Sequence, residues 1–196
     1  MHRPPADRLD PRAARSRRSA IDAALALIRE LGAGRTTMEA IAARSGVAKT
    51  TLYRQFGDLE TLLFAAFESL TAPPAIPVEA AVVADVRSWL HQFAEVLTTD
   101  EFAPWVPAMI DVAERNEHGH ALAVDFAARR RLPLRTRLSV AIDAGELAVD
   151  TDVDTLVSML VGPLFYRRFV SRQATSFAFV DHVVDSALGS LVASPA

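Results

Sequence analysis

Two short apolar-faced segments parted by a glycine constrain this chain more than anything else in it. They are Met38–Ser45 and residues 48–55, on either side of Gly46. Helices of this length are not stable alone, so they must pack on each other at a steep angle through a tight turn. Such a turn needs a small residue where the helices cross, and Ala42 supplies it. It needs a residue tolerant of positive φ, which is Gly46, and apolar residues facing the core on both sides, which are Ile41, Val47 and Leu52. All three demands are met at the spacing of a helix-turn-helix.

The flanks fit a small helical head. Upstream, Ile21, Leu25, Ile28 and Leu31 form a helical stripe from about Arg15, stopped by Gly32 and Gly34. Thr36 or Thr37 then offers a hydroxyl N-cap, and with Thr36 as the cap Glu39 completes a capping box. Downstream, Gly57 ends the third helix and Asp58 can cap a fourth, with Leu59, Leu62, Leu63, Ala66, Phe67 and Leu70 as its apolar stripe. Residues 1–14 hold Pro4, Pro5 and Pro11 among Arg and Asp and read as a flexible basic arm. The run Pro73-Pro74-Ala75-Ile76-Pro77 is the one obvious joint in the chain.

Beyond the joint the periodicity is helical throughout. Helices are predicted at about 78–98, 102–115, 121–144 (with a kink or break at Pro133), 152–172 and 176–192. The fold class is therefore all-α, with about nine helices. A helix-turn-helix head covers 15–57, a connecting helix 58–71, and a helical body 78–193. No strand pattern, glycine-rich phosphate loop or internal repeat interrupts it.

Charge is unevenly spread. Up to Gly57 there are 11 Lys and Arg against 5 Asp and Glu; beyond it there are 10 against 19, within a net charge of −3. A basic head on an acidic body suits nucleic acid, because phosphates need local rather than global positive charge. There is no cysteine, hence no disulfide or thiolate metal site. No apolar run is long enough for a bilayer, and the basic N-terminus lacks the apolar region of a signal peptide, so a cytoplasmic location is expected. An enzyme would need a nucleophile–base pair, a metal cluster or a cofactor loop, and none is found. His118 and His120 flank Gly119 in an expected loop, and His91 and His182 stand alone; all read as ordinary histidines, with no metal or cofactor implied.

The third helix would present Lys49, Thr50, Thr51, Tyr53, Arg54 and Gln55, with Arg44 nearby on the second. Lys49 is the only lysine in the chain. Singly, each is ordinary helix surface. Together they are donors and methyl groups suited to phosphates and base edges, and they point to double-stranded DNA.

The stretch from about Arg15 to Leu70, with T36-T-M-E-A-I-A-A-R-S-G-V-A-K-T-T-L-Y-R-Q-F56 at its centre, resembles the DNA-binding domain of the tetracycline-repressor (TetR/AcrR) family. More loosely, L132-P-L-R, A141-I-D-A-G-E-L147 and L160-V-G-P-L-F-Y-R-R-F169 resemble a C-terminal domain of that family. The resemblance implies an all-helical homodimer that binds a palindromic operator, represses, and responds to a small-molecule effector held in the body. It implies that Thr37 and Tyr53 bond phosphates and that Lys49, Thr50 and Thr51 approach bases, with Thr36, Arg44 and Arg54 beside them. Where the family often carries a phosphate-binding lysine early in the fourth helix, this chain has Leu59, which leaves Arg54 or the arm to replace it.

The last two helices would form the dimer interface, through Leu156, Leu160, Leu164, Phe165, Phe169, Phe179, Val183, Val184 and Leu188; otherwise they complete a monomeric core. An effector pocket would draw on Trp89, Phe93, Phe102, Trp105, Met109, Phe126, Met159 and Tyr166. The alternative is a DNA-binding regulator whose body binds a protein partner, favoured by an exposed apolar patch over a filled core.

Overall fold

The computed structural model describes residues 11–70, 76, 81–99, 102, 104–189 and 191. Among them the chain forms nine α-helices: α1 Pro11–Leu31, α2 Met38–Ser45, α3 Lys49–Phe56, α4 Leu59–Leu70, α5 Val82–Thr98, α6 Trp105–Ala113, α7 Glu117–Asp143, α8 Val153–Phe165 and α9 Phe177–Leu188. They fall into two compact units, one within 1–71 and 104–126, the other within 72–103 and 127–196.

In the first unit α1 packs against α2, α3, α4 and α6. Helix α1 begins at Pro11, earlier than the apolar stripe suggests. Proline has no N–H to lose at a first helical position, and its fixed φ suits one. Residues 11–14, expected in the arm, are thus helical; 1–10 lie outside the described residues. The buried face of α1 is Ala20, Ile21, Ala23, Ala24, Leu27 and Ile28, so small residues replace Leu25 and Leu31 on the inner side and let the neighbouring helices approach closely. From α4, Phe64 meets Phe67 edge-on at 5.4 Å and Phe126 at 5.9 Å, while Phe67 lies 6.1 Å from Trp105. Arg115 donates to the carbonyl of Ala33 at 2.7 Å, tying the end of α6 to the turn before α2.

In the second unit α5 packs on α8 and α9, and α8 on α9. Leu156, Val157, Leu160 and Leu164 of α8 and Val180, Val183, Val184, Ala187 and Leu188 of α9 are buried within the single chain. Arg87 reaches Asp181 at 3.1 Å and Asp185 at 2.7 Å, and His91 lies 2.9 Å from Asp181 with its ring stacked on Phe177. The guanidinium of Arg87 holds the Asp181 carboxyl below its ordinary range.

Prolines shape these helices less than their positions suggest. Pro107 falls within the first turn of α6, where a missing N–H is harmless. Helix α7 runs unbroken through Pro133, with Leu134, Leu138 and Ala141 buried on one side of it. That burial outweighs the lost hydrogen bond. Helix α8, expected to reach Arg172, gives way after Phe165 to a π-turn over Tyr166–Val170, two residues past Pro163.

Arg137 is the largest charged group in the interior, 2% exposed. Its Nε donates to Asp85 at 2.7 Å, and its terminal nitrogens donate to Glu146 at 3.3 to 3.4 Å. Glu146 also accepts from the backbone N–H of Val82 at 2.7 Å. It therefore caps α5, whose own N-cap, Ala81, has no acceptor. Removing one member of such a cluster leaves a buried charge uncompensated. Asp85→Ala is expected to lower unfolding stability by about 3–5 kcal/mol in urea titration, and Asp85→Ala with Arg137→Met to recover most of that loss.

Candidate nucleic-acid interface

The site is built outward from a hydroxyl and a glycine. Thr37, not Thr36, is the N-cap of α2, its Oγ1 accepting from the Ala40 N–H at 3.1 Å. Thr36 is buried, and its hydroxyl donates to the Gly32 carbonyl at 3.0 Å. This corrects the expectation that Thr36 lies on the DNA face: a short 3-10 turn over Ala33–Arg35 turns it inward. With the cap one residue later, the capping box does not form and Glu39 sits one place too early to return to the cap N–H.

Gly46 ends α2 in the left-handed region (φ 69°), where a side chain would be strained, and its N–H donates to the Ala42 carbonyl at 3.0 Å. The chain then reverses into α3. Ile41, Leu52 and Phe56 are buried, which fixes the rotation of both helices. Lys49, Thr50, Tyr53 and Arg54 are consequently exposed and Thr51 is half-buried. Asp58 caps α4 by accepting from the Thr61 N–H at 2.8 Å. Leu59, where a lysine is common, is half-buried.

Gln55 departs from the expected face. Its amide donates to Ser16 Oγ at 2.7 Å and to the Ala13 carbonyl at 3.3 Å, fastening the end of α3 to the first turns of α1. The guanidinium of Arg17 lies 4.5 Å over the Phe56 ring at the same joint. The added helical turn of α1 is what Gln55 grips.

Each of two cations near α3 has a carboxylate partner. Arg44 is bidentate on Glu30, at 2.5 and 2.6 Å, and Lys49 pairs with Glu39 while lying 5.7 Å from the Tyr53 ring centre. The hydrogen bonds from Arg44 and Lys49 hold the Glu30 and Glu39 carboxyls below their ordinary range, and both bases are raised in return. Neither acid stood out in the sequence. Glu39 had a competing capping role, and Glu30 is brought to Arg44 only by the packing of α1 on α2.

The residues expected to line an effector pocket separate into groups. Trp89 stacks on Phe93 at 5.3 Å; Phe93 lies 5.7 Å from Phe165, and Phe165 lies 5.9 Å from Phe169, forming an aromatic row from α5 through the end of α8 into the π-turn. Phe102 is half-buried. Trp105, Met109 and Phe126 belong to the first unit, where Trp105 and Phe126 fill the core against α4. Met159, beside the buried stripe of Leu156, Leu160 and Leu164, and Tyr166, in the π-turn after α8, are exposed, 49% and 61%. They are not walls.

The same buried stripe corrects the dimer assignment. Leu156, Leu160, Leu164, Val183, Val184 and Leu188 are used by the chain's own core, while Phe165, Phe169 and Phe179 are half-buried. The outward strip of α8 carries Ser158, Met159 and Gly162, with Tyr166 just beyond it.

Among the described residues no group of three His, Asp or Glu side chains could hold a metal ion, and no helix is long and apolar enough to cross a membrane. His118 lies on the surface, 3.1 Å from Asp58.

Residues 20–66 match the family described as bacterial regulatory proteins, tetR family, and residues 76–187 match the tetracyclin repressor-like C-terminal domain. The chain is similar to the HTH-type transcriptional regulator YdeS of Bacillus subtilis, 27% identical over 95% of this chain and 94% of that one. It is also similar to the HTH-type transcriptional regulator Rv1556 of Mycobacterium tuberculosis, 28% identical over 82% of this chain and 81% of that one. The solved structure of the TetR family transcription regulator SCO0332 superposes with a TM-score of 0.71 at 27% identity, covering 91% of this chain and 99% of that one.

Proposed function

The chain belongs to the tetR family of DNA-binding transcriptional regulators, and from that premise we propose that it is a homodimeric repressor, released from a palindromic operator by a small apolar or aromatic ligand. One observation carries the reading. Burial of Leu52 and Phe56 leaves Lys49, Thr50, Tyr53 and Arg54 on a single outward face of an eight-residue helix, directly after a left-handed Gly46. A helix so presented suits the major groove, with the side chains of its first turn at base edges and its flanks at phosphates.

Thr37 fits the phosphate role well. Its oxygen accepts as the helix cap, and its hydroxyl also bonds the Glu39 carboxylate, a contact it can exchange for a phosphate. Tyr53, 45% exposed, extends its phenol from the same face, and Arg54 adds a charge in place of the missing lysine.

A single head gives weak binding. Two heads held by a dimer would read half-sites about 34 Å apart, and the operator would mirror the two-fold axis. The partner contact is assigned to the outward strip of α8, where Met159, Gly162 and Tyr166 present an apolar and narrow surface, joined by half-buried Phe165 and Phe169. The aromatic row Trp89–Phe93–Phe165–Phe169 supports an apolar or aromatic effector. A ligand acts only if it favours one conformation over the other.

Lys49→Ala and Tyr53→Ala are each expected to weaken binding to a selected operator duplex by about tenfold or more in fluorescence anisotropy, as loss of a base or phosphate contact implies. Sedimentation should be unchanged. Unaltered affinity in both variants would remove the assignment of this face.

Tyr166→Glu is expected to shift the chain towards monomer in sedimentation velocity without lowering its helicity. Dimers that persist would place the partner contact elsewhere. Among planar aromatic compounds, those that raise the melting temperature should also release the duplex in the anisotropy titration; stabilisers without that effect would count against effector control.

A further inference from the structure

The cations expected to meet DNA are not all at liberty to do so. Lys49, the first residue of α3, gives its ammonium to Glu39 in the first turn of α2. Arg44, in the last turn of α2, is clasped by Glu30 from α1. Arg54, by contrast, has no ion pair with any described residue and is exposed.

Such pairs do little for folding. All four side chains are well exposed, with 39% to 64% of each accessible, and ion pairs in that setting contribute little to stability. Their larger effect is on what the head offers a polyanion. Non-specific binding comes from cations that displace counterions from phosphates. A cation already neutralised displaces fewer. It must also leave behind a carboxylate that then faces the phosphates.

The two acids are not equivalent. Arg44 stands on the second helix, where Glu30 reaches it from α1. Glu39 holds the very residue that begins that helix. The Lys49–Glu39 couple is a donor beside an acceptor. A guanine–cytosine pair shows the complement of that couple in the major groove: acceptors on guanine and an amino donor on cytosine. A phosphate shows acceptors only. Opening the pair is therefore compensated on both sides at a suitable base pair, and on one side along arbitrary sequence.

We infer that Glu39 is a specificity-determining residue, withholding Lys49 from phosphates so that the head discriminates between its operator and other DNA. This rests on α3 being the reading helix. The exposure of the pair lets Glu39 serve this role at little cost to the fold, and glutamine in its place keeps an acceptor for the Glu39 backbone N–H and the Thr37 hydroxyl.

The test is a double-mutant cycle on the full chain. Wild type, Glu39→Gln, Lys49→Met and the double variant are titrated by anisotropy against two probes over a range of salt. One probe is a mixed-sequence 40-base-pair duplex; the other is a duplex selected in vitro with the wild-type chain. Melting temperatures of the four proteins should agree, because the altered side chains are exposed.

Glu39→Gln is expected to tighten the mixed duplex about three- to fivefold and to steepen its salt dependence by roughly one ion, while tightening the selected duplex less than about twofold. In the Lys49→Met background the same change should move the mixed duplex by less than about twofold. Equal tightening in both backgrounds would mean that removing any negative charge suffices, and would overturn the inference. So would equal tightening of both probes, or none. A wild-type chain that binds neither duplex would overturn the DNA-reading role of α3 itself, a result distinct from binding that Glu39→Gln leaves unchanged.

Discussion

The head depends on the burial of three side chains across one turn. Helices α2 and α3 are eight residues each, too short to persist in water without tertiary support. Ile41, Leu52 and Phe56 supply that support by entering the core beside α1 and α4, and Gly46 lets the chain reverse between them. Once Leu52 and Phe56 point inward, a period of 3.6 residues sends positions 49, 50, 53 and 54 outward. The reading surface is the complement of the core. Gln55, between the two directions, becomes the fastener to α1.

Ionic groups are used in two different ways in the two units. Around Arg137, charges are buried, hydrogen-bonded on several sides and tied to the start of α5. Desolvation makes such a cluster all-or-none: complete it is tolerated, and broken it is destabilising. On the head, Lys49–Glu39 and Arg44–Glu30 sit in water and exchange partners at low cost. The same chemistry gives a fixed anchor inside and an adjustable charge outside. Solvent alone makes the difference.

Helix phase also decides what the body has left to offer. Helix α8 is apolar almost all round, so composition leaves open which stripe joins the chain's own core. Packing against α5 and α9 takes Leu156, Leu160 and Leu164, and it leaves Met159, Gly162 and Tyr166 for other contacts. The π-turn after Phe165 keeps Phe169 near Phe165 and turns Tyr166 to solvent.

By itself the sequence determined the all-helical class, the placement of the helix-turn-helix and the family, because these rest on short-range periodicity and on residues with special backbone needs, such as Gly46 and the prolines. The outward direction of Lys49, Thr50, Tyr53 and Arg54 was legible for the same reason. Only the tertiary structure decided which threonine caps α2, which stripe of α8 is buried, that Trp105 and Phe126 pack with the head, and that Glu30 and Glu39 hold Arg44 and Lys49. Each of these depends on partners far along the chain or on a one-residue shift in a turn. A shift that small moves a side chain by about 100° around a helix, and local pattern does not fix it.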